Sequence, residues 1–264
     1  MSDLLPPTET ASPGPVPAIS VRNLYKTYGD KHAVNGLNLT VPRGCFYGFL
    51  GPNGAGKTTT IRMLMGLIPA TSGEVEILGY RMSRQSLDIR RLLGLVPDDT
   101  LLFDHLTGGE FIEFVGRLYG LPLREAHERS LELLALFELD GNARKLIAEY
   151  SKGMRKRCAM AAALIHRPQL FLMDEPFEGV DAVGARLMKN ILIEQVQRGA
   201  TIFLTSHVLD VVERLCDRVA IIHEGQLVVE GSMADLRHNR ETLEELFVRT
   251  VGGTPTTEKL EWLA

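Results

Sequence analysis

Two short stretches of this 264-residue chain have residue types and spacings suited to phosphate chemistry. The first is Gly51-Pro52-Asn53-Gly54-Ala55-Gly56-Lys57-Thr58, followed by Thr59. It fits the pattern G-x-x-x-x-G-K-[ST] and lies between an apolar run, CFYGFL, and a helically spaced one, TIRMLMGL, the strand–loop–helix setting that the pattern requires. Glycines let successive backbone N–H groups turn inward around an anion, and the following helix N-terminus adds its positive end. In that pattern Lys57 reaches the β- and γ-phosphates, and the Thr58 hydroxyl is a ligand for Mg²⁺. A glycine turn arising by chance is the plain alternative, and the flanking elements argue against it. The second stretch is LFLMDEP, residues 170–176, an apolar strand ending in two carboxylates. Asp174 is placed to hold Mg²⁺ through water, and Glu175 to polarise a water attacking a γ-phosphate. Acidic residues that merely follow a strand into a loop are the competing reading.

Elements must bring these stretches together. With 45% hydrophobic residues the chain can bury one substantial core and a second small lobe. A net charge of -4 and a pI near 6.0 give no global reason to expect nucleic acid. Cys45, Cys158 and Cys216 are odd in number and lack metal-ligand spacing, which favours a reducing, cytoplasmic setting over a disulfide framework. No apolar run approaches the roughly 20 residues of a membrane-spanning helix, and no cationic-then-apolar leader opens the chain. The expectation is a protein neither secreted nor integral to a membrane.

Residues 1–17 are Pro-rich and read as a flexible tail. From Ile19, ISVRNLYKTY and LNLTV predict antiparallel strands, and GEVEILG a further strand after the first helix. Between about residues 98 and 166 strand signals give way to helical ones, predicting a helical insertion. Strands return as LFLMD, TIFLTS, RVAIIHEG and QLVVEG, with helices between the first three, an alternation that builds a parallel sheet covered on both faces. The fold class is therefore α/β: a phosphate-loop NTPase core with a parallel sheet, an N-terminal antiparallel β subdomain and an inserted helical subdomain. The core domain spans about 18–231, and 232–264 reads as short helices and a polar tail.

Three further stretches, YSKGMRKR at Tyr150, FEGVD ending at Asp181 and TSH ending at His207, complete an order and spacing that resemble the ATP-binding-cassette ATPases. Within that family the chain is most similar to the nucleotide-binding subunits of exporter-type ABC transporters. The resemblance covers about residues 18–231, with a weaker match through TLEELFVRTVGG. It implies that YSKGMRKR is the signature motif, usually a serine, two glycines and a glutamine. Ser151 and Gly153 are kept, whereas Lys152 and Met154 depart from the pattern. In the family this segment opens a helix whose serine hydroxyl and amides contact the γ-phosphate of ATP on the opposite subunit, as a helix N-terminus can. Ser151 also suits a simple helix N-cap, and so does Asp181, which the resemblance makes the residue linking two sites across a dimer. His207 corresponds to the histidine that contacts the γ-phosphate and helps position the water. Tyr28 corresponds to an aromatic residue stacked on adenine. Asp98 stands where the family has a glutamine that senses the metal and connects to the membrane subunit; an aspartate there can ligate Mg²⁺ but adds negative charge beside a polyphosphate.

The resemblance thus implies ATP and Mg²⁺ as cofactors and a head-to-tail dimer, with itself or a related chain. It also implies a separate integral membrane permease subunit docked near the helical lobe, around residues 97–117, and a peripheral position on the inner face of the cell membrane. The runner-up is a soluble cassette ATPase acting on ribosomes or RNA, prompted by the basic cluster Lys152, Arg155, Lys156 and Arg157. Against it stand a single phosphate loop, the lack of interleaved aromatics and the acidic balance; basic residues there also serve simply to solvate a helix face or to neutralise ATP. A kinase or GTPase on the same loop is a third class, but the chain lacks the N-K-x-D guanine motif.

Overall fold

The computed structural model describes residues 16–82, 87–98, 102–238 and 242–252. Most of the N-terminal tail and the polar C-terminal tail lie outside these residues.

The chain opens with two long strands, β1 (Ile19–Tyr28) and β2 (Lys31–Val41), paired antiparallel. β3 (Phe46–Leu50) runs into the phosphate loop, and α1 (Lys57–Leu64) leaves it. β4 (Ser72–Ile77), the GEVEILG segment, does not join β3: it pairs antiparallel with β1, and β5 (Tyr80–Arg81) pairs with it, giving an antiparallel sheet of order β2-β1-β4-β5. After a single helical turn, α2 (Leu87–Arg90), β6 (Leu93–Val96) begins the parallel sheet at its far edge. The helical insertion follows as α3 (Gly108–Leu118), α4 (Leu123–Leu136) and α5 (Lys152–Leu164). α3 is started by a reciprocal cap in which Thr107 Oγ1 accepts from Glu110 N and Glu110 accepts from Thr107 N.

The chain then returns through β7 (Leu170–Asp174), α6 (Ala182–Gln197), β8 (Thr201–Ser206), α7 (Leu209–Leu215), β9 (Arg218–His223) and β10 (Gln226–Ser232). The second sheet has the order β10-β9-β3-β8-β7-β6. Every pairing in it is parallel except β10–β9. QLVVEG turns back through Glu224 and Gly225, both at positive φ, which is the twist a tight hairpin needs. α8 (Met233–His238) and α9 (Leu243–Val251) follow, and α9 packs on α7 with Leu243 and Leu246 buried.

β3, β7 and β8 are buried along their whole length, and alternate residues feed two cores. Tyr47, Phe49, Leu172 and Phe203 pack against α1 and the antiparallel sheet. Phe46, Leu50, Phe171, Met173 and Leu204 pack against the helices. Clamping each central strand from both sides fixes where its C-terminal end emerges, and the candidate site is built at those ends.

Candidate active site

The phosphate loop is shaped by glycines that cannot be replaced in place. Gly56 sits at φ 110°, where a Cβ would also stand 2.4 Å from the Ala33 carbonyl oxygen. Gly51 has the Ile222 carbonyl oxygen 2.3 Å from the same position. The loop therefore lies directly on β2 and β9. Lys57, 7% exposed, donates from Nζ to the Gly51 and Pro52 carbonyls at 2.7 and 3.2 Å. An ammonium has three N–H donors, so this arrangement aims the cation inward with one left for an anion. Burial lowers the Lys57 pKa, and the Glu175 and Asp174 carboxylates oppose that fall.

The ends of β7 and β8 supply the facing groups. Asp174 is 3% exposed and accepts from the Thr205 hydroxyl, its in-register neighbour on β8. Glu175 leaves the strand in the left-handed region at φ 46°, a conformation that costs a non-glycine residue about 1–3 kcal/mol. Its amide is held by Thr205 through both the carbonyl and the hydroxyl oxygen, at 3.3 and 3.2 Å. The turn puts Glu175 Oε1 2.9 Å from His207 Nδ1, with the N–H the donor because a carboxylate only accepts. Glu175 is mostly buried and His207 half-exposed. That is a carboxylate oriented by an imidazole at the edge of a cavity, a geometry suited to holding a water.

The cavity is open and has a volume of about 530 Å³. Asn53, Gly54, Gly56, Lys57, Thr58 and Thr59 form one wall. Tyr28, half-exposed at the end of β1, lies at its mouth, and Glu175, His207 and Asp98 face the loop. Gly51 and Ala55 are buried below the loop, and Pro52 is partly buried beside it. Ser151, Gly153 and Asp181 do not line the cavity. Ser151 caps α5 by accepting from Met154 N at 3.2 Å, and Asp181 caps α6 by accepting from Gly184 N at 3.3 Å. A Cβ on Gly153 would lie 3.2 Å from the Gly179 carbonyl oxygen, so the start of α5 rests closely on the segment before α6.

The basic cluster on α5 differs from the expectation of a solvated face. Lys156 is only 1% exposed and donates to Asp98 O at 2.8 Å and Asp98 Oδ1 at 3.3 Å. Arg155 pairs with Asp104 at 2.7 Å, Arg157 donates to Phe137 O at 3.1 Å, and Lys152 pairs with Glu178 at 2.6 Å. These cations are engaged within the chain, an arrangement unlike a bare phosphate-binding patch. The expected metal neighbour Asp98 does reach the cavity, but in the company of a lysine; Asp99 lies outside the described residues. Thr205 and Glu178 were not anticipated from the sequence, and Lys156 only as one of a basic cluster. The first had a readable signal, since LFLMD and TIFLTS in parallel register set Asp174 beside Thr205.

A strand–loop–helix phosphate cradle opposite a strand-end Asp-Glu pair defines a nucleotide-hydrolysing P-loop protein. The family model described as ABC transporter matches residues 34–178. The chain is 37% identical to the linearmycin resistance ATP-binding protein LnrL of Bacillus subtilis over 87% of this chain and 75% of that protein. It is 39% identical to the bacitracin transport ATP-binding protein BcrA of Bacillus licheniformis, over 86% and 74% respectively. Among solved structures, an ATP-binding subunit of an ABC transporter superposes with a TM-score of 0.82 at 31% identity, covering 88% of this chain and 99% of that one. The ATP-binding cassette MJ0796, solved as a dimer in a post-hydrolysis state with ADP and Pi, has a TM-score of 0.76 at 27% identity over 81% and 98%. The chain belongs to the ABC transporter family, as an ATP-binding, ATP-hydrolysing subunit. No helix among the described residues is long and apolar enough to cross a membrane.

Proposed function

We propose that two copies of this chain close head to tail around two ATP molecules, each held by the phosphate loop of one copy and the Ser151 end of α5 of the other. The observation that carries this reading is the division of the site. Lys57, Asp174, Glu175 and His207 converge at one cavity, whereas Ser151 and Gly153 present a helix N-terminus outside it. Such an end attracts anions but does not line the cavity of its own chain. A related cassette, MJ0796, is itself dimeric, which supports a paired assembly.

In this reading the loop amides and Lys57 bind the β- and γ-phosphates, and Tyr28 stacks on the base. Glu175, oriented by His207, accepts or directs a proton of the attacking water, while Lys57 and His207 face the charge that develops on the γ-phosphoryl oxygens. Asp181, at the start of α6, links the two sites. The donor set fits Mg²⁺, which takes one or two carboxylates with water and phosphate oxygens rather than an all-protein cage. Thr58, Asp174 and Asp98 would hold it; bound there, it neutralises phosphate charge. No group of three potential ligands fit for another metal occurs among the described residues.

Hydrolysis drives movement, with export the direction we favour, through a separate membrane permease at the inner face of the cell membrane. A docking place is offered by an apolar cavity of about 130 Å³ lined by Pro97, Leu102, Phe111 and Tyr119. Phe103, Phe114 and Leu118 are exposed beside it. The test is affinity purification of tagged Glu175→Gln with ATP from gently solubilised cells, followed by mass spectrometry. A multi-span membrane protein is the expected partner; ribosomal or other soluble assemblies without one would overturn the transport reading.

A further inference from the structure

Lys156 and Lys152 stand one turn apart on α5, so they share a face. Each meets a carboxylate that lines the nucleotide cavity: Lys156 meets Asp98, and Lys152 meets Glu178. Both Asp98 and Lys152 are positions at which the chain departs from the usual cassette pattern. A buried ammonium is costly unless paired and hydrogen-bonded. Lys156 Nζ donates to the main-chain oxygen and to one carboxylate oxygen of a single residue, Asp98. That carboxylate is 42% exposed toward a cavity that must accept a polyphosphate. Left unbalanced, it would repel the ligand.

We propose that Lys156 is a positioning residue for nucleotide binding: it anchors Asp98 at the cavity wall, where the carboxylate can face Mg²⁺, and offsets the charge that Asp98 sets beside a polyphosphate. Lys152 acts likewise on Glu178 at a more exposed pair, with a smaller effect. This rests on the reading that the cavity holds Mg-ATP.

The test is a double-mutant cycle on the full chain, read as affinity for a fluorescent ATP analogue with and without Mg²⁺ and as the thermal midpoint. Lys156→Gln keeps an N–H donor for the Asp98 carbonyl and drops the charge; it is expected to weaken binding ~10-fold in the wild-type background. In the Asp98→Asn background the same change is expected to alter affinity less than ~2-fold, the non-additivity that a direct pair shows. Lys156→Arg, which keeps the charge, is expected to retain affinity within ~3-fold and serves if the glutamine variant does not fold. Equal losses in both Asp98 backgrounds, or an arginine variant that is folded yet ~10-fold weaker, would overturn the proposal. A wild-type chain that fails to bind the analogue would instead refute the nucleotide reading of the cavity.

Discussion

The phosphate loop and the start of α5 are built on opposite principles. At the phosphate loop the charged groups are set into a packed frame: Lys57 and Asp174 are buried, Thr205 holds both Asp174 and the Glu175 amide, and the central strands are packed on both faces. At the start of α5, Ser151 is exposed and caps the helix by accepting from Met154 N. A pre-formed pocket can bind ATP on one chain. An exposed helix N-terminus becomes useful only when a ligand is carried to it. On the proposed reading, the contrast separates binding, which one copy performs, from hydrolysis, which needs two.

Substitutions can break that division. The largest effect is expected from Glu175→Gln, which keeps the size and the left-handed turn but removes the base. Turnover should fall by ~10²-fold or more while ATP still drives dimer formation. Steady-state ATPase assays beside size-exclusion chromatography check it, and ordinary turnover would remove Glu175 from its role. Next is Ser151→Glu, which sets a carboxylate at the exposed start of α5. Hydrolysis should drop ~10²-fold with ATP affinity of the single chain unchanged, whereas a loss of affinity in isolated chains would show that α5 serves its own pocket.

A smaller effect is expected from Thr205→Val, which leaves Asp174 and the Glu175 amide without their shared hydroxyl. The chain should lose about 1–3 kcal/mol of stability by urea denaturation, with turnover down ~10-fold. An unchanged midpoint would mean that the hydroxyl contributes nothing to the enclosure.

The smallest lies away from the nucleotide, where His166 stacks on Tyr119 at 3.6 Å between ring centroids and its Nε2 meets Leu93 O at 3.0 Å. Burial pushes this imidazole down to about 4 from 6.5. Because the folded value lies below the unfolded one, the unfolded chain binds the proton more readily as pH falls. Stability is therefore intact above about pH 6.5 and declines toward pH 4. His166→Gln should flatten that part of the urea-midpoint profile, and an unchanged slope would place the titration elsewhere.

What the sequence disclosed follows the same division. The phosphate loop, Asp174 and Glu175 were legible because their chemistry is written in consecutive residues between an apolar strand and its neighbour. The alternation of strand and helix likewise disclosed the parallel sheet and the helical insertion. Partnerships across long separations were harder to read: Lys156 with Asp98 spans 58 residues, and Thr205 with Asp174, 31 residues apart, is legible only through the parallel register of LFLMD and TIFLTS. The period of GEVEILG and QLVVEG says strand but not which neighbour, so the pairing of β4 with β1 and the reversed direction of β10 emerged only from the fold. Lys156 misled for a physical reason: four basic residues in six resemble a solvated face until the helix is placed and one ammonium is found buried under the cavity wall.

The central claim, a hydrolytic site shared between two copies, is tested most directly by complementation. Lys57→Met disables the pocket of one copy and spares its α5; Ser151→Glu does the reverse. Each alone should be nearly inactive. Mixed in equal amounts, half the dimers would carry one intact site, and ATPase activity should recover to about a quarter of wild type if the sites act independently. No recovery, with both variants folded and Ser151→Glu still binding ATP, would contradict a site built from two copies of this chain.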